Sequence, residues 1–505
     1  MGRLLFSPAG EKQEPSRFFS EDGKMLKYKE LLERWGKPDE AEIDALLDRE
    51  IAKAGIKFVV LDDDPTGVQT VHDVSVFTDW SEESILEGFM EEGNVFFILT
   101  NSRGMTSART EEIHTQIGER VMKAASRTGK RFCLISRSDS TLRGHYPLET
   151  QVLKRACDKE GRSTDGEILI PYFKEGGRFT IDNTHYVRHA DELVPAAETE
   201  FAKDVTFGYS HSDLPHYIEE KTGGAYRAED VTCISLDDLR AQRYDRITDR
   251  LLAMKDFGKV IVNCLDDCDM KVFCVSLYRA MAKGKNYMFR TAAGFVRVVS
   301  GIKPTPLLTA ETLYGAAGGD ATGGIVVVGS HTAKTTAQLQ CLLQEKGVEA
   351  VELNCAALLE SGESFDKEIV RCIRAEEEIL GRGKTAVCYT DRKRIDRPGE
   401  TKEEALLRSV KISDGVQQLV GRLGVSPAFV VAKGGITSAD IGVKALRVRK
   451  ARVMGQIAPG VPVWETGEES RFPGIPYVIF PGNVGDEQTL RDAVRILKQD
   501  TNSPK

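Results

Sequence analysis

Several features that would name a function class are missing from this chain. Its ten cysteines include no Cys-x-x-Cys pair, and Cys264 and Cys268, four apart, have no histidine beside them. No zinc site or disulfide framework is expected, and the thiols read as buried residues of a reducing compartment. No window approaches the ~18 apolar residues of a membrane span, and the first residues lack the apolar core of a secretory signal. A cytoplasmic protein is expected. Positive charge is not in excess: 69 Lys and Arg stand against 77 Asp and Glu, a net −8. That balance disfavours non-specific binding of nucleic acid or of an anionic membrane surface. An anionic ligand would need a local positive site. No internal repeat is visible.

What is present is an alternating α/β pattern. A chain of 505 residues is too long for one core, so two or three domains are expected. Residues 1–55 read as a helical N-terminal extension, with EAEIDALLDREIAKAG (40–55) amphipathic and stopped by Gly55. Residues 56–300 carry the apolar runs FVVL (58–61), VFFIL (95–99), RFCLIS (131–136), EILI (167–170) and KVIVNC (259–264), with helical stretches such as 108–127 between. The Gly-, Thr- and Pro-rich segment 301–323 reads as a linker. Residues 324–505 repeat the alternation, with strands at 324–329, 385–390, 429–435 and 476–482. The fold expected is α/β: two domains, each a largely parallel sheet flanked by helices, with the active site in the cleft between them.

The first apolar run ends in Asp62, Asp63, Asp64, Pro65, Thr66 and Gly67. Adjacent carboxylates repel one another and need partners or a task. The loops after the next strands bring Thr100, Asn101, Ser102 and Arg103, then Arg137, Asp139, Ser140, Thr141, Arg143 and Gly144. Arginine suits bidentate recognition of carboxylate or phosphate, and carboxylates can hold and activate a hydroxyl. Together these loops read as a pocket for a small hydroxylated acid; the plainer reading is helix caps and surface ion pairs. Arg178, in PYFKEGGRFT, is a further anion contact or a solvated turn residue. His72, His145 and His185 lie near these loops and read as structural or exposed rather than catalytic.

The second half carries phosphate-type turns. VVVGSHTAKTT (326–336) runs from a strand through Gly329 and Ser330 into a helix start, where N–H groups suit phosphate. It is not a Walker A loop, since Lys334 stands where that motif needs glycine. AKGGITSADIG (432–442) and PGNVGDEQTL (481–490) repeat the design, with Gly434, Gly435, Gly482 and Gly485 before helices. Glycine often only makes such a turn; three in one half favour a nucleotide phosphate site.

DDDPTGVQ, SDSTLRG, PYFKEGGR, GSHTAKTTAQ, AKGGITSAD and PGNVG, in this order, resemble the four-carbon acid sugar kinase family from about Phe58 to about Leu497. The resemblance implies an N-terminal domain for an acid sugar such as threonate, erythronate or 3-oxo-tetronate, and a C-terminal domain for ATP. It implies γ-phosphoryl transfer to a hydroxyl, with Mg²⁺ on the nucleotide. Asp64 and Asp139 would be catalytic; Asp63, Arg103, Ser140 and Arg143 would meet the substrate; Ser330, Gly434, Gly435, Ile436, Thr437 and Gly482 would meet ATP. No metal ligand is assigned, and a homo-oligomer is left open. The chain departs from the family in residues 1–55, in the third acid Asp62, in Pro65, and in GGIT where an acid often follows the glycines.

Two other readings compete. Asp62-x-Asp64-x-Thr66 after an apolar strand matches the opening of a haloacid-dehalogenase-type phosphatase, with Asp62 as nucleophile and Asp266 and Asp267 as later acids. A non-catalytic nucleotide-binding regulator is the second.

Overall fold

The computed structural model describes residues 26–36, 38–315, 323–329, 331–392, 399, 401–482 and 484–499. Ile56–Asp62 shows why the apolar runs become central strands. Phe58 and Val60 pack into one core while Val59 and Leu61 pack into another, because successive side chains leave a strand on opposite faces. Both faces are covered, so the run is apolar throughout. Ile325–Val328 behaves alike, with Ile325 and Val327 on one face and Val326 and Val328 on the other.

In the first half, seven parallel strands lie in the order Val95–Leu99, Ile56–Asp62, Arg131–Arg137, Tyr287–Thr291, Gly166–Ile170, Gly258–Val262, Thr232–Ile234. Val74–Phe77 joins them in parallel next to Val95–Leu99. In the second half, Val348–Leu353, Thr385–Thr390, Ile325–Val328, Val430–Lys433 and Pro476–Phe480 form a parallel block. The two sheets are continuous. Pro476–Phe480 pairs antiparallel with Val461–Thr466, that strand with Lys450–Ala458, and Lys450–Ala458 with Val74–Phe77. The two parallel blocks expected are both present, and among the described residues they join into one 15-stranded sheet, with one hydrophobic core running along a face of it through both halves.

Three antiparallel pairings reverse direction an odd number of times, so in a flat drawing the two parallel blocks point opposite ways. Sheets are not flat. Six steps separate Ile56–Asp62 from Val430–Lys433. At about 20–25° per step the twist turns one block by roughly 120–150° relative to the other, and the carboxyl ends come to the same side.

Register aligns the functional loops. Asp62 stands beside Leu99 and Arg137, Arg137 beside Thr291, and Thr291 beside Ile170, so the loops that follow leave from one line. Val328, Lys433 and Phe480 make the corresponding line in the second half. A three-stranded antiparallel sheet, Arg178–Ile181, Thr184–His189 and Glu192–Pro195, stands apart. The described residues of the N-terminal extension form two helices, Tyr28–Trp35 and Glu40–Ala54; Asp39 caps the second and Gly55 ends it with φ 55°. Of the expected linker, 316–322 lie outside the described residues; Leu308 and Leu313 pack into the core of the second half. Among the described residues no helix is long and apolar enough to cross a membrane.

A shared sheet and core make the halves one cooperative unit. Scanning calorimetry is expected to show one unfolding transition with equal calorimetric and van't Hoff enthalpies; two resolved transitions would contradict this.

Candidate active site

Three consecutive aspartates open the site, and they face three ways. Asp62 turns inward, 2% exposed. It lies so close to Gly67 that a Cβ there would sit 1.6 Å from Asp62 Oδ2, which is why the turn needs glycine. Its Oδ1 accepts from Arg137 Nη1 and from the N–H of Asp64, both at 3.4 Å. Burial, only partly offset by Arg137, pushes this carboxyl up to about 8. Asp63 is also buried and takes a bidentate contact from Arg103, Nε to Oδ2 at 3.0 Å and Nη2 to Oδ1 at 2.5 Å. Asp64 turns outward. Its Oδ1 accepts from Thr66 N–H at 2.9 Å and Thr66 Oγ1 at 2.6 Å, and its Oδ2 from Arg103 Nη1 at 3.3 Å. Burial works to raise Asp64, but Arg103 and Thr66 outweigh it and hold the group below the ordinary aspartate value. A phosphatase nucleophile must be ionised and face its substrate. Asp62 is neither, and it does not line the cavity.

The loop from Asp139 to Arg143 is fixed carbonyl by carbonyl. Arg290 donates to Asp139 O at 3.4 Å and to Arg143 O at 2.9 Å. His185 Nε2 donates to Ser140 O at 2.8 Å, Tyr209 OH to Thr141 O at 2.9 Å, and Tyr217 OH to Leu142 O at 2.9 Å. Burial lowers His185 to about 4, which keeps its ring neutral, with Nδ1 against Thr180 Oγ1. With the carbonyls held behind, Asp139, Ser140, Thr141 and Arg143 line the cavity. Asp139 accepts from Arg143 Nε at 2.7 Å and from Thr141 Oγ1. Burial opposes its ionisation, yet Arg103 and Arg143 hold it well below the usual carboxylate range.

The cavity measures about 590 Å³ and has walls from both halves of the chain. Asp64, Arg103, Asp139, Ser140 and Arg143 line it from the first half, Gly435 and Gly482 from the second. Asp63 stays behind the wall as the anchor of Arg103. Arg103 is saturated, with Asp63, Asp64 and, at 4.0 Å, Asp139 around it. Arg137 faces Asp62, and Arg143 faces Asp139. Arg178 differs. Among the described residues it is the one cavity-lining arginine with no carboxylate within 4.0 Å, and its Nε is buried without a hydrogen-bond partner. Arg178 and Arg143 both lie over the Phe201 ring, at 5.6 and 5.1 Å.

On the wall from the second half, the N–H of Gly434 is spent within the sheet, donating to Phe480 O at 2.8 Å. Gly435 is the glycine that reaches the cavity. Thr437 packs against Gly329, and Ile436 is 74% exposed outside the cavity. Ser330 lies outside the described residues. Lys433, which sequence reasoning passed over, is fully buried and donates to Pro481 O at 2.5 Å and Gly482 O at 3.3 Å. Burial lowers its ammonium to about 7. Thr335 and Gln338 hold the same loop through Gly482 O, Val484 O and Asp486 O. A lysine ending the apolar run FVVAK was the available signal. For Arg290, Tyr209 and Tyr217 there was none, since they act from distant segments; His185 holds a backbone carbonyl, a structural place.

Among the described residues no three His, Cys, Asp or Glu side chains converge on a metal site. A divalent cation carried by a phosphate ligand would need only one or two protein carboxylates and no protein cage. Asp64 and Asp486 are carboxylates of the wall that could serve.

The Asp62 proton has a consequence for stability. The folded chain keeps it up to about pH 8, whereas the ordinary value is 3.8. Between these values the folded state holds the extra proton, so stability falls as pH rises. Asp62→Asn, a neutral isostere, is expected to keep Tm at pH 6 within about 3 °C and to flatten its decline between pH 6 and about 8. An unchanged decline in differential scanning fluorimetry would refute the protonated assignment.

Comparison with known proteins agrees with the geometry. Residues 58–299 match the family described as a sugar-binding N-terminal domain, and residues 325–490 match the nucleotide-binding C-terminal domain. No curated relative matches the chain by sequence. Two solved structures share the fold. A Salmonella typhimurium LT2 protein, provisionally named a tRNA synthase, is 16% identical with a TM-score of 0.62, covering 86% of this chain and 98% of its own. Haemophilus influenzae protein HI1011 is 16% identical with a TM-score of 0.57, covering 87% of this chain and 100% of its own. With a sugar-binding half and a nucleotide-binding half meeting at one cavity, the chain belongs to the two-domain four-carbon acid sugar kinase family.

Proposed function

We propose that the protein transfers the γ-phosphoryl group of ATP to a hydroxyl of a small sugar acid of the tetronate type, such as threonate, erythronate or 3-oxo-tetronate. The observation that carries this reading is the contact between the halves. A Cβ built on Gly435 would lie 3.3 Å from Asp64 Oδ2, so a carboxylate of the sugar half abuts the glycine turn of the nucleotide half. Phosphoryl transfer needs the acceptor hydroxyl and the γ-phosphate in line, with water kept away.

In this reading Asp64 orients the attacking hydroxyl. A carboxylate held at low proton affinity is a weak base, but a loose transition state asks for alignment more than early deprotonation. Asp139, Ser140 and Thr141 hold the other hydroxyls. Arg178, lacking an acid of its own, takes the substrate carboxylate; Arg103 and Arg143 keep the two aspartates ionised. The N–H groups of the Gly435 and Gly482 turns face the phosphates, and the helix that begins at Gly435 favours negative charge there. Mg²⁺ brought by ATP would neutralise phosphate charge. Ten unpaired cysteines suit a reducing cytosol.

Acid-sugar-dependent ADP release measures the reaction. Asp64→Asn, which keeps the Thr66 contacts but removes a charge from beside Arg103, is expected to lower kcat by about 10²-fold and Tm by roughly 1–3 °C. Arg178→Ala is expected to raise KM for the sugar acid about 10- to 100-fold and to leave KM for ATP alone. Near-full turnover by both Asp64→Asn and Asp139→Asn would overturn the assignment. Thermal stabilisation by nucleotide with no response to any four- to six-carbon sugar acid would favour the regulator instead.

A further inference from the structure

The N-terminal helices lie outside both matched regions, the first of which begins at residue 58. They are nonetheless built against the segment that carries Arg178. In that segment Phe173 and Arg178 exchange backbone hydrogen bonds at 3.1 and 2.9 Å and close the turn Lys174–Gly177, so the turn and Arg178 move together. The next residue, Phe179, is fully buried. Its ring stacks on Tyr28 of the first N-terminal helix at 4.5 Å and 24°. Arg188 covers Tyr28 at 4.8 Å while its own N–H holds Gly177 O at 2.8 Å. The backbone adds to the grip: Tyr28 N–H donates to Asp191 O at 2.9 Å, and Leu193 N–H to Leu26 O at 3.0 Å.

A second hold comes from the other helix. Ile43 and Leu47 of Glu40–Ala54 are buried in the core shared with the helix Asp267–Ala282, and Lys271 of that helix pairs with Glu40 at 3.1 Å and Asp44 at 2.9 Å. Asp266, which caps the same helix, accepts from Lys174 Nζ at 2.6 Å. The turn beside Arg178 is thus fixed from its strand and from its lysine, and both supports lean on the N-terminal segment.

We propose that the N-terminal segment is a positioning element of the acid-sugar site, with Tyr28 setting the place of Arg178 through Phe179. The inference rests on the kinase reading above. It assigns to residues outside the two matched domains a share in how tightly this chain holds its anionic substrate.

The test is steady-state kinetics on the full chain with ATP and the sugar acid that the wild type turns over. Tyr28→Ala is expected to raise KM for the sugar acid about 3- to 10-fold, with kcat and KM for ATP unchanged. Tyr28→Phe, which keeps the stack, should restore the wild-type KM. In an Arg178→Ala background Tyr28→Ala should add no further loss, since a positioning residue acts only through what it positions. If Tyr28→Ala does not fold, Tyr28→Leu keeps apolar bulk without the ring and gives the same reading. An unchanged KM, an equal rise in both KM values, or a full additional loss in the Arg178→Ala background would overturn the inference and leave the kinase reading intact. A wild type that releases no ADP with any sugar acid would overturn the kinase reading, and the inference with it.

Discussion

Four residue pairs, from Lys450 opposite Phe77 to Val453 opposite Val74, carry the join between the two halves. Without them there would be two α/β sheets with two sets of loops and no reason for either set to face the other. With them, the twist of one sheet aims both sets at the same cavity. The flanking charges follow the same pairing: Arg449 and Lys450 reach Glu87, and Arg452 reaches Asp73. Domains joined only by a linker rely on hinge motion to bring their walls together. Here the walls of the cavity are extensions of a single sheet, and the site is assembled when the chain folds.

Much of this was legible in the residues. Val95–Leu99 and Thr385–Thr390 coincide with the apolar runs, because a strand buried on both faces leaves an uninterrupted apolar trace. The residues that gather at the cavity were legible for the same reason, since the polar loops follow those strands directly. The connecting strands were not. Lys450–Ala458 alternates exposed and buried residues and includes two charged side chains, so it reads as a loop. Tyr287–Thr291 hides because it buries an arginine. The orientations of Asp62, Asp63 and Asp64 were also out of reach. Three identical neighbours have identical propensities, and what separates them is Gly67, Arg103 and Arg137, brought in by the fold.

The electrostatics of the cavity are organised by pairing. A buried ion is costly unless partnered, and removing one partner costs more than the pair contributes. Asp63 therefore steadies Arg103, which in turn keeps Asp64 and Asp139 charged. Arg178 is the exception to this pattern. What sets it apart is the lack of a carboxylate within 4.0 Å, a deficit of the sort that a bound anion makes good.

The five carbonyl contacts behind the Asp139–Arg143 loop bear on how such a chain tolerates change. They come from four side chains on separate stretches of the molecule, each correcting the same short piece of backbone. Redundancy of this kind shelters the loop from any one loss and makes losses in combination far worse than their sum. A lineage could thus shed one anchor with little visible effect and so become dependent on the remaining three, its sequence history written in residues that never touch a ligand.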